Sequence, residues 1–234
     1  MTTQPTIIES LKGKLIVSCQ AEDDSPFNAP HFITAFAQAA ERGGAAGVRI
    51  RNFENIEPVR KAISLPIIGL TKGTYADGSV LITPRVEDAV TLQTLGADII
   101  AVDGTTRPRP GYTNGGEIIK TMKAEGIRIV MADIATMDDA LMAQDAGADL
   151  VGTTLSGYTP DTAQKQNDPD YELIENLAKK LPIPVIAEGR IRSPEEAKRA
   201  LDCGAYAVVV GSAITRPVEI VRRFVDWMER SFSG

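Results

Sequence analysis

The sequence predicts a single-domain (β/α)8 barrel over residues 1–234, on three observations. Four segments share one pattern, Gly-Ala-x followed by an apolar run: GGAAGVRI (43–50), LGADIIAVD (95–103), AGADLVGTT (146–154) and CGAYAVVVG (203–211). Four more short apolar runs, KLIVSCQ (14–20), LPIIGL (65–70), IRIVMAD (127–133) and PIPVIAEG (182–189), bring the strands to eight. The longest irregular stretches, 71–84, 104–113 and 155–168, each directly follow a predicted strand. In a barrel that places all three on the C-terminal rim, where active sites are built.

Each element has a local reason. The strands are too apolar to alternate, as expected where both faces are buried. Amphipathic stretches rich in Ala, Glu, Lys and Arg separate them, predicting helices at 30–43, 53–62, 86–95, 114–125, 136–146, 169–180, 193–203 and 216–231. In the Gly-Ala-x units the glycine ends the preceding helix in a left-handed cap. The opening MTTQPTIIESLKGK is polar, has no signal-peptide h-region and is expected to close the bottom of the barrel. An open doubly wound sheet usually needs fewer strands and a glycine-rich first turn, and no GxGxxG follows the first strand.

Composition narrows the function classes. Lys and Arg (25) against Asp and Glu (31) give a net charge of −6, which argues against a nucleic-acid coat or a polybasic membrane anchor. Two cysteines, Cys19 and Cys203, supply neither a disulfide framework nor a tetrahedral metal site, so a reducing, cytoplasmic setting is expected. No apolar run approaches the ~20 residues of a bilayer span. With one histidine, His31, a Ser/His/Asp triad or a multi-histidine metal site has little to draw on.

The strand ends read as chemistry. Gln20, Arg49, Lys72, Asp103, Asp133, Thr153, Thr154, Glu188, Gly211 and Ser212 all fall on the predicted rim. So many charges at one mouth are costly unless a polar ligand or mutual ion pairing uses them. After strands seven and eight, AEGRI and VGSAIT place Gly189, Gly211 and Ser212 where backbone amides can close on a phosphate, with Arg190 or Arg216 as charge partners. Lys72 is expected at the end of strand three; as a base or nucleophile it needs burial or a cationic neighbour such as Arg49. The other reading of Lys72 is a plain ligand for carboxylate or phosphate.

Other features read more plainly. His31 suits a capping or surface role, Asp23 and Asp24 a solvated loop, and Cys19 a small buried residue. DGTTRPRPG (103–111) is a stiff loop, either a pocket wall or an interface segment. The apolar face of the last helix, including Trp227, is expected to cover the barrel, although such barrels often pair and an exposed last helix would suit a homodimer.

The same residues carry a resemblance. LIVSCQA (15–21), GVRIRNFENI (47–56), PIIGLTKGTY (66–75), GADIIAVDGTTRPRP (96–110), VMADIATMDDA (130–140), GADLVGTTLSGYT (147–159), VIAEGRIRSPEEA (185–197) and GAYAVVVGSAITRP (204–217) run nearly end to end. Together they resemble the N-acetylmannosamine-6-phosphate 2-epimerases, a phosphate-binding barrel family. The resemblance implies inversion at C2 of a 2-acetamido sugar 6-phosphate in amino-sugar catabolism, without nicotinamide, metal or other cofactor. It implies that Lys72 is the acid/base, and that Glu188 and Asp133 hold sugar hydroxyls and orient the lysine. It implies substrate contacts at Gln20 and Arg49, and Arg216 beside a phosphate held by Gly189, Gly211 and Ser212; from their places on the rim, Asp103 is also expected to bind substrate and Arg190 the phosphate. The alternatives are another phosphosugar isomerase, a Schiff-base aldolase built on Lys72, or a non-catalytic phosphosugar-binding barrel.

Overall fold

The protein is built around a closed ring of eight parallel strands; the computed structural model describes residues 6–165 and 167–232, with side chains through Glu229. In chain order, α1 (Ile7–Ser10) precedes β1 (Leu15–Cys19), α2 (Pro30–Arg42), β2 (Gly47–Arg51), α3 (Phe53–Ala62) and β3 (Ile67–Leu70). A two-stranded antiparallel hairpin follows, β4 (Lys72–Thr74) and β5 (Val80–Ile82). Then come α4 (Val86–Thr94), β6 (Ile99–Asp103), α5 (Gly115–Ala124), β7 (Val130–Asp133), α6 (Met137–Asp145) and β8 (Leu150–Gly152). Two 3-10 turns, Thr153–Leu155 and Pro160–Lys165, lead to α7 (Tyr171–Lys180), β9 (Val185–Glu188), α8 (Pro194–Asp202), β10 (Ala207–Val210), α9 (Ser212–Thr215) and α10 (Pro217–Phe232). Around the ring the order is β1, β10, β9, β8, β7, β6, β3, β2.

The Gly-Ala-x units act as helix stops. Gly44, Gly96, Gly147 and Gly204 have φ of 86°, 110°, 96° and 97°, a region closed to most side chains. The next amide, from Ala45, Ala97, Ala148 or Ala205, donates back to the carbonyl of Ala40, Leu92, Ala143 or Ala200. This six-to-one bond is the Schellman closure; it turns the chain straight into the next strand. Helix starts are equally explicit: Thr136 and Ser193 form reciprocal capping boxes with Asp139 and Glu196, each side-chain cap being worth about 1 kcal/mol.

Strand alternation splits the core in two. Ile16, Ile68, Leu70, Ile99, Met131, Leu150, Ile186 and Val209 fill the barrel interior, while Val17, Val48, Ile50, Ile100, Val102 and Val130 pack outward under the helices. Leu11, after α1, is buried in the interior cluster with Ile7 and Ile8 beside it, so the N-terminal segment plugs the bottom.

The last helix departs from expectation. Rather than covering the barrel, α10 leaves Val221, Phe224, Trp227 and Met228 between 59% and 71% exposed. The physical reason is a break: Arg216, at φ −119° and ψ 79°, separates α9 from Pro217, where α10 begins. The flank where an eighth outer helix would lie is an open apolar groove of about 560 Å³, lined by Leu15, Leu201, Val208, Val210 and Ile214 among others. Among the described residues no helix is long and apolar enough to cross a membrane.

Candidate active site

Alternation also assembles the mouth. Continuing the interior parity beyond Ile16, Leu70, Ile99, Met131, Ile186 and Val209 brings Ser18 and Gln20, Lys72, Asp103, Asp133, Glu188 and Gly211 to the inward face, together with Arg49 from β2. Ser18, Gln20, Arg49, Lys72, Thr154, Glu188, Gly189, Arg190, Gly211, Ser212 and Arg216 line one solvent-open cavity of about 260 Å³. The lysine and the chain segments after β9 and β10 therefore face the same cup.

The floor is an ion-pair network. Arg49, 1% exposed, donates to both carboxylate oxygens of Asp133, at 3.0 and 2.6 Å, and to Glu188 Oε2 at 2.6 Å. The Thr154 hydroxyl donates to Asp133 Oδ1 and reaches Glu188 Oε2 at 3.2 Å. Thr153 locks the two strand ends: its hydroxyl donates to the Glu188 carbonyl and accepts from the Glu188 amide. Burial weakens the arginine's preference for charge, but Asp133 and Glu188 outweigh it and its pKa is raised. Burial pushes the Glu188 carboxyl up, Arg49 pulls it back and Asp133 adds to the rise, leaving it above the ordinary carboxylate range. Arg49 Nε and Gln20 Oε1 are buried without a hydrogen-bond partner, and both residues line the cavity. They are a donor and an acceptor suited to a polar ligand.

Lys72 stands differently from its predicted position. It is not the last residue of a barrel strand; it opens the β4–β5 hairpin, paired with Ile82. The residue is exposed at the open mouth, where it lines the cavity. Desolvation, followed by the positive charges of Arg216, Arg51 and Arg49, lowers its pKa to about 8, against the opposing pull of Glu188.

The opposite wall comes from β9, β10 and α9. Thr215 donates to the Ser18 carbonyl at 2.6 Å, pinning α9 against β1. The Ile214 and Thr215 amides both donate to the Gly211 carbonyl. The Ser212 and Ala213 amides begin the turn and have no acceptor within it. Arg216 lines the cavity, and its Nε lies 3.2 Å from Glu22. Arg190 contributes its backbone, at φ 59°, but its guanidinium is engaged: Nε donates to the Asp168 carbonyl at 2.7 Å and Nη1 to that of Ser156 at 2.6 Å.

Two predicted contacts lie elsewhere. Asp103 is fully buried and does not line the cavity; its carboxylate is taken by Arg107, Arg109, Thr105 and Tyr75. Its neighbours Thr105, Arg107 and Arg109 lie within six residues and fold back onto it. Asp133 is likewise fully buried, beneath Arg49 rather than beside the cavity. Ser18, Leu155 and Tyr158 line the cavity without having been singled out in sequence. Parity alone identifies Ser18, two residues before Gln20. Among the described residues no three His, Cys, Asp or Glu side chains converge as a metal site would need.

Comparison with known proteins fits this layout. Residues 33–230 match a family model described as "Putative N-acetylmannosamine-6-phosphate epimerase". The chain belongs to that epimerase family. A relative described as a 2-epimerase of the same kind, from Caldanaerobacter subterraneus subsp. tengcongensis, is 48% identical over 99% of this chain and 98% of its own. A Cutibacterium acnes relative with the same description is 46% identical over 94% and 96% of the two chains. The solved N-acetylmannosamine-6-phosphate 2-epimerase from Clostridium perfringens superposes with a TM-score of 0.89 at 43% identity, covering 97% of this chain and 98% of that one. The epimerase family thus accounts for the whole barrel. A thiamine phosphate pyrophosphorylase from Pyrococcus furiosus, at TM-score 0.61 and 19% identity, shares the fold alone.

Proposed function

We propose that the protein interconverts N-acetylmannosamine 6-phosphate and N-acetylglucosamine 6-phosphate by moving the C2 proton, in amino-sugar catabolism. The observation that carries the reading is the shared cup: a lysine with its pKa lowered to about 8 faces the same cavity as Gly189, Gly211, Ser212 and Arg216. The phosphate sits against those glycine and serine amides and Arg216. In the open-chain sugar C1 is an aldehyde, which makes the C2–H acidic. Neutral Lys72 takes that proton and becomes an ammonium, while the C–H electron pair forms the C1=C2 bond and leaves the charge on O1. Arg49, with its unpartnered Nε, and Gln20 supply polar contacts to the sugar and the enolate. Glu188 holds a sugar hydroxyl and faces the lysine; Asp133 acts by fixing Arg49. A proton from solvent reaching the other face of C2 gives the epimer, the Lys72 ammonium releases its proton to solvent to restore the neutral amine, and no cofactor takes part in this scheme.

The test is incubation of either sugar phosphate in deuterated water. Deuterium at C2 with formation of the other epimer is expected; tight binding without exchange would leave only a phosphosugar-binding barrel. The lowered Lys72 pKa suits imine formation as well, so borohydride trapping is the companion experiment. A covalent Lys72 adduct would favour the aldolase reading.

We also infer a homodimer in the cytoplasm. The exposed apolar face of α10 and the open groove on its own barrel's flank are complementary, and a second copy provides each with a cover. Free thiols at Cys19 and Cys203 and a phosphorylated substrate are in keeping with that compartment. Light scattering should give twice the chain mass, and Phe224→Glu should give a monomer; a wild-type monomer overturns the inference.

A further inference from the structure

Lys72 is borne by a hairpin of two three-residue strands, outside the barrel ring. Two-stranded hairpins are marginal in water, so the position of the lysine depends on what the hairpin is fastened to. At the base the fastening is plain. The Thr83 amide donates to the Thr71 carbonyl, the Thr71 amide donates to the Thr83 hydroxyl, that hydroxyl donates to the Ala101 carbonyl at 2.6 Å, and the Thr71 hydroxyl donates to Asp88. Thr83 holds φ 44° to do so, an uncommon conformation for a β-branched residue.

At the tip, a side chain from another loop makes most of the contacts. Arg107, in the stretch following β6, lays its guanidinium over the Tyr75 ring at 4.1 Å. It donates to Ser79 Oγ at 2.9 Å and to the Val80 carbonyl at 3.4 Å, so it grips both sides of the turn. Its other bonds run to Asp103 Oδ2 at 2.8 Å and Thr105 Oγ1 at 3.1 Å. Tyr75 donates to the same Asp103 oxygen at 3.3 Å. Asp103 is held in turn by Arg109, which also donates to the Thr105 and Arg107 carbonyls. The stiff Arg-Pro loop is therefore a bracket standing on β6, and Arg107 is its hook.

We propose that Arg107 is a positioning residue for the epimerisation: stacked on Tyr75 and anchored by Asp103, it holds the β4–β5 hairpin so that the Lys72 amine meets C2 of the substrate. This rests on the epimerase reading above. Arg107 does not line the cavity and is not among the charges that depress Lys72, which are Arg216, Arg51 and Arg49, opposed by Glu188. Its influence on the lysine thus runs through geometry. A displacement of about 1 Å at a reacting group is enough to cost on the order of a hundredfold in rate.

The experiment compares wild type, Arg107→Ala, Arg107→Lys and Tyr75→Ala. Steady-state kinetics are measured over pH 6–10, and Lys72 is titrated directly by NMR of 13C-labelled lysine. The expected result for Arg107→Ala and Tyr75→Ala is a fall in kcat of about ten- to a hundredfold with KM within about threefold. The Lys72 titration should move up toward the ordinary lysine value as the hairpin swings toward water. Arg107→Lys keeps the charge but loses the fork and most of the stacking, and is expected to rescue poorly. An unchanged kcat or an unmoved Lys72 titration in both alanine variants would overturn the proposal, and so would full rescue by lysine. A loss of thermal stability with an unaltered pH profile would reduce Arg107 to a structural role and overturn it too. The NMR titration does not depend on turnover. A wild type that fails to epimerise therefore refutes the epimerase reading, whereas an unmoved titration refutes only the role of Arg107.

Discussion

If Lys72 is the base, rate must follow its neutral fraction. An ordinary lysine with pKa ~10.4 is neutral in about one molecule in 2,500 at pH 7. With the value lowered to about 8, the fraction becomes about one in eleven. Accordingly kcat/KM should climb about tenfold per pH unit below pH 8 and level off above it. Arg51 offers a perturbation that leaves the cavity intact: it does not line the cup, it pairs with Asp23 at 2.7 Å, and its charge is one of those depressing Lys72. Arg51→Gln removes a cation, so the ammonium form is less disfavoured and the inflection should move upward. A few tenths of a pH unit is the expected size for a partly screened charge at an effective dielectric of about 20. The assay is a pH series of initial epimerisation rates by NMR for both proteins. An inflection near 10.4 in wild type, a flat profile, or a downward shift in the variant would refute the reasoning.

Three further outcomes follow from the same geometry. Arg49→Met leaves Asp133, fully buried, and Glu188 without their cation, and should cost about 3–5 kcal/mol in denaturant unfolding; adding Asp133→Asn should recover part of it. Arg216→Ala should raise KM for the sugar phosphate by about ten- to a hundredfold with a smaller effect on kcat, as loss of a charge-assisted bond of about 1.5–3 kcal/mol implies; an unchanged KM would remove Arg216 from the phosphate site. Lys72→Ala should abolish deuterium exchange at C2 while leaving competitive inhibition by inorganic phosphate in place, which inhibition and exchange assays check side by side.

Much of this was legible in the chain because the barrel repeats a local code. The four left-handed glycines, each followed by a buried alanine, mark where helices stop and strands start without reference to anything distant. Strand parity shows which rim residues point inward, and Arg49, Glu188, Gln20 and Gly211 line the cavity. Parity does not say what an inward side chain will bind. Asp133 and Asp103 both point in, yet each finds arginine first: Arg49 lies 84 positions from Asp133, whereas Arg107 and Arg109 come from the loop beside Asp103. The hairpin carrying Lys72 was hidden for a similar reason, since three-residue strands give too little alternation to read. Trp227 and Phe224 look like core residues in a helix pattern, and only the break at Arg216–Pro217 sends them outward.

The central claim is that one hexose phosphate spans the distance from the Gly189–Gly211–Ser212 wall to Lys72. A crystal structure with N-acetylglucosamine 6-phosphate bound addresses it most directly. Phosphate oxygens are expected within hydrogen-bond distance of the Gly211 and Ser212 region and Arg216, and Lys72 Nζ within about 3.5 Å of C2. A phosphate held there with C2 out of reach of Lys72, or a sugar bound with its phosphate away from that wall, would contradict it.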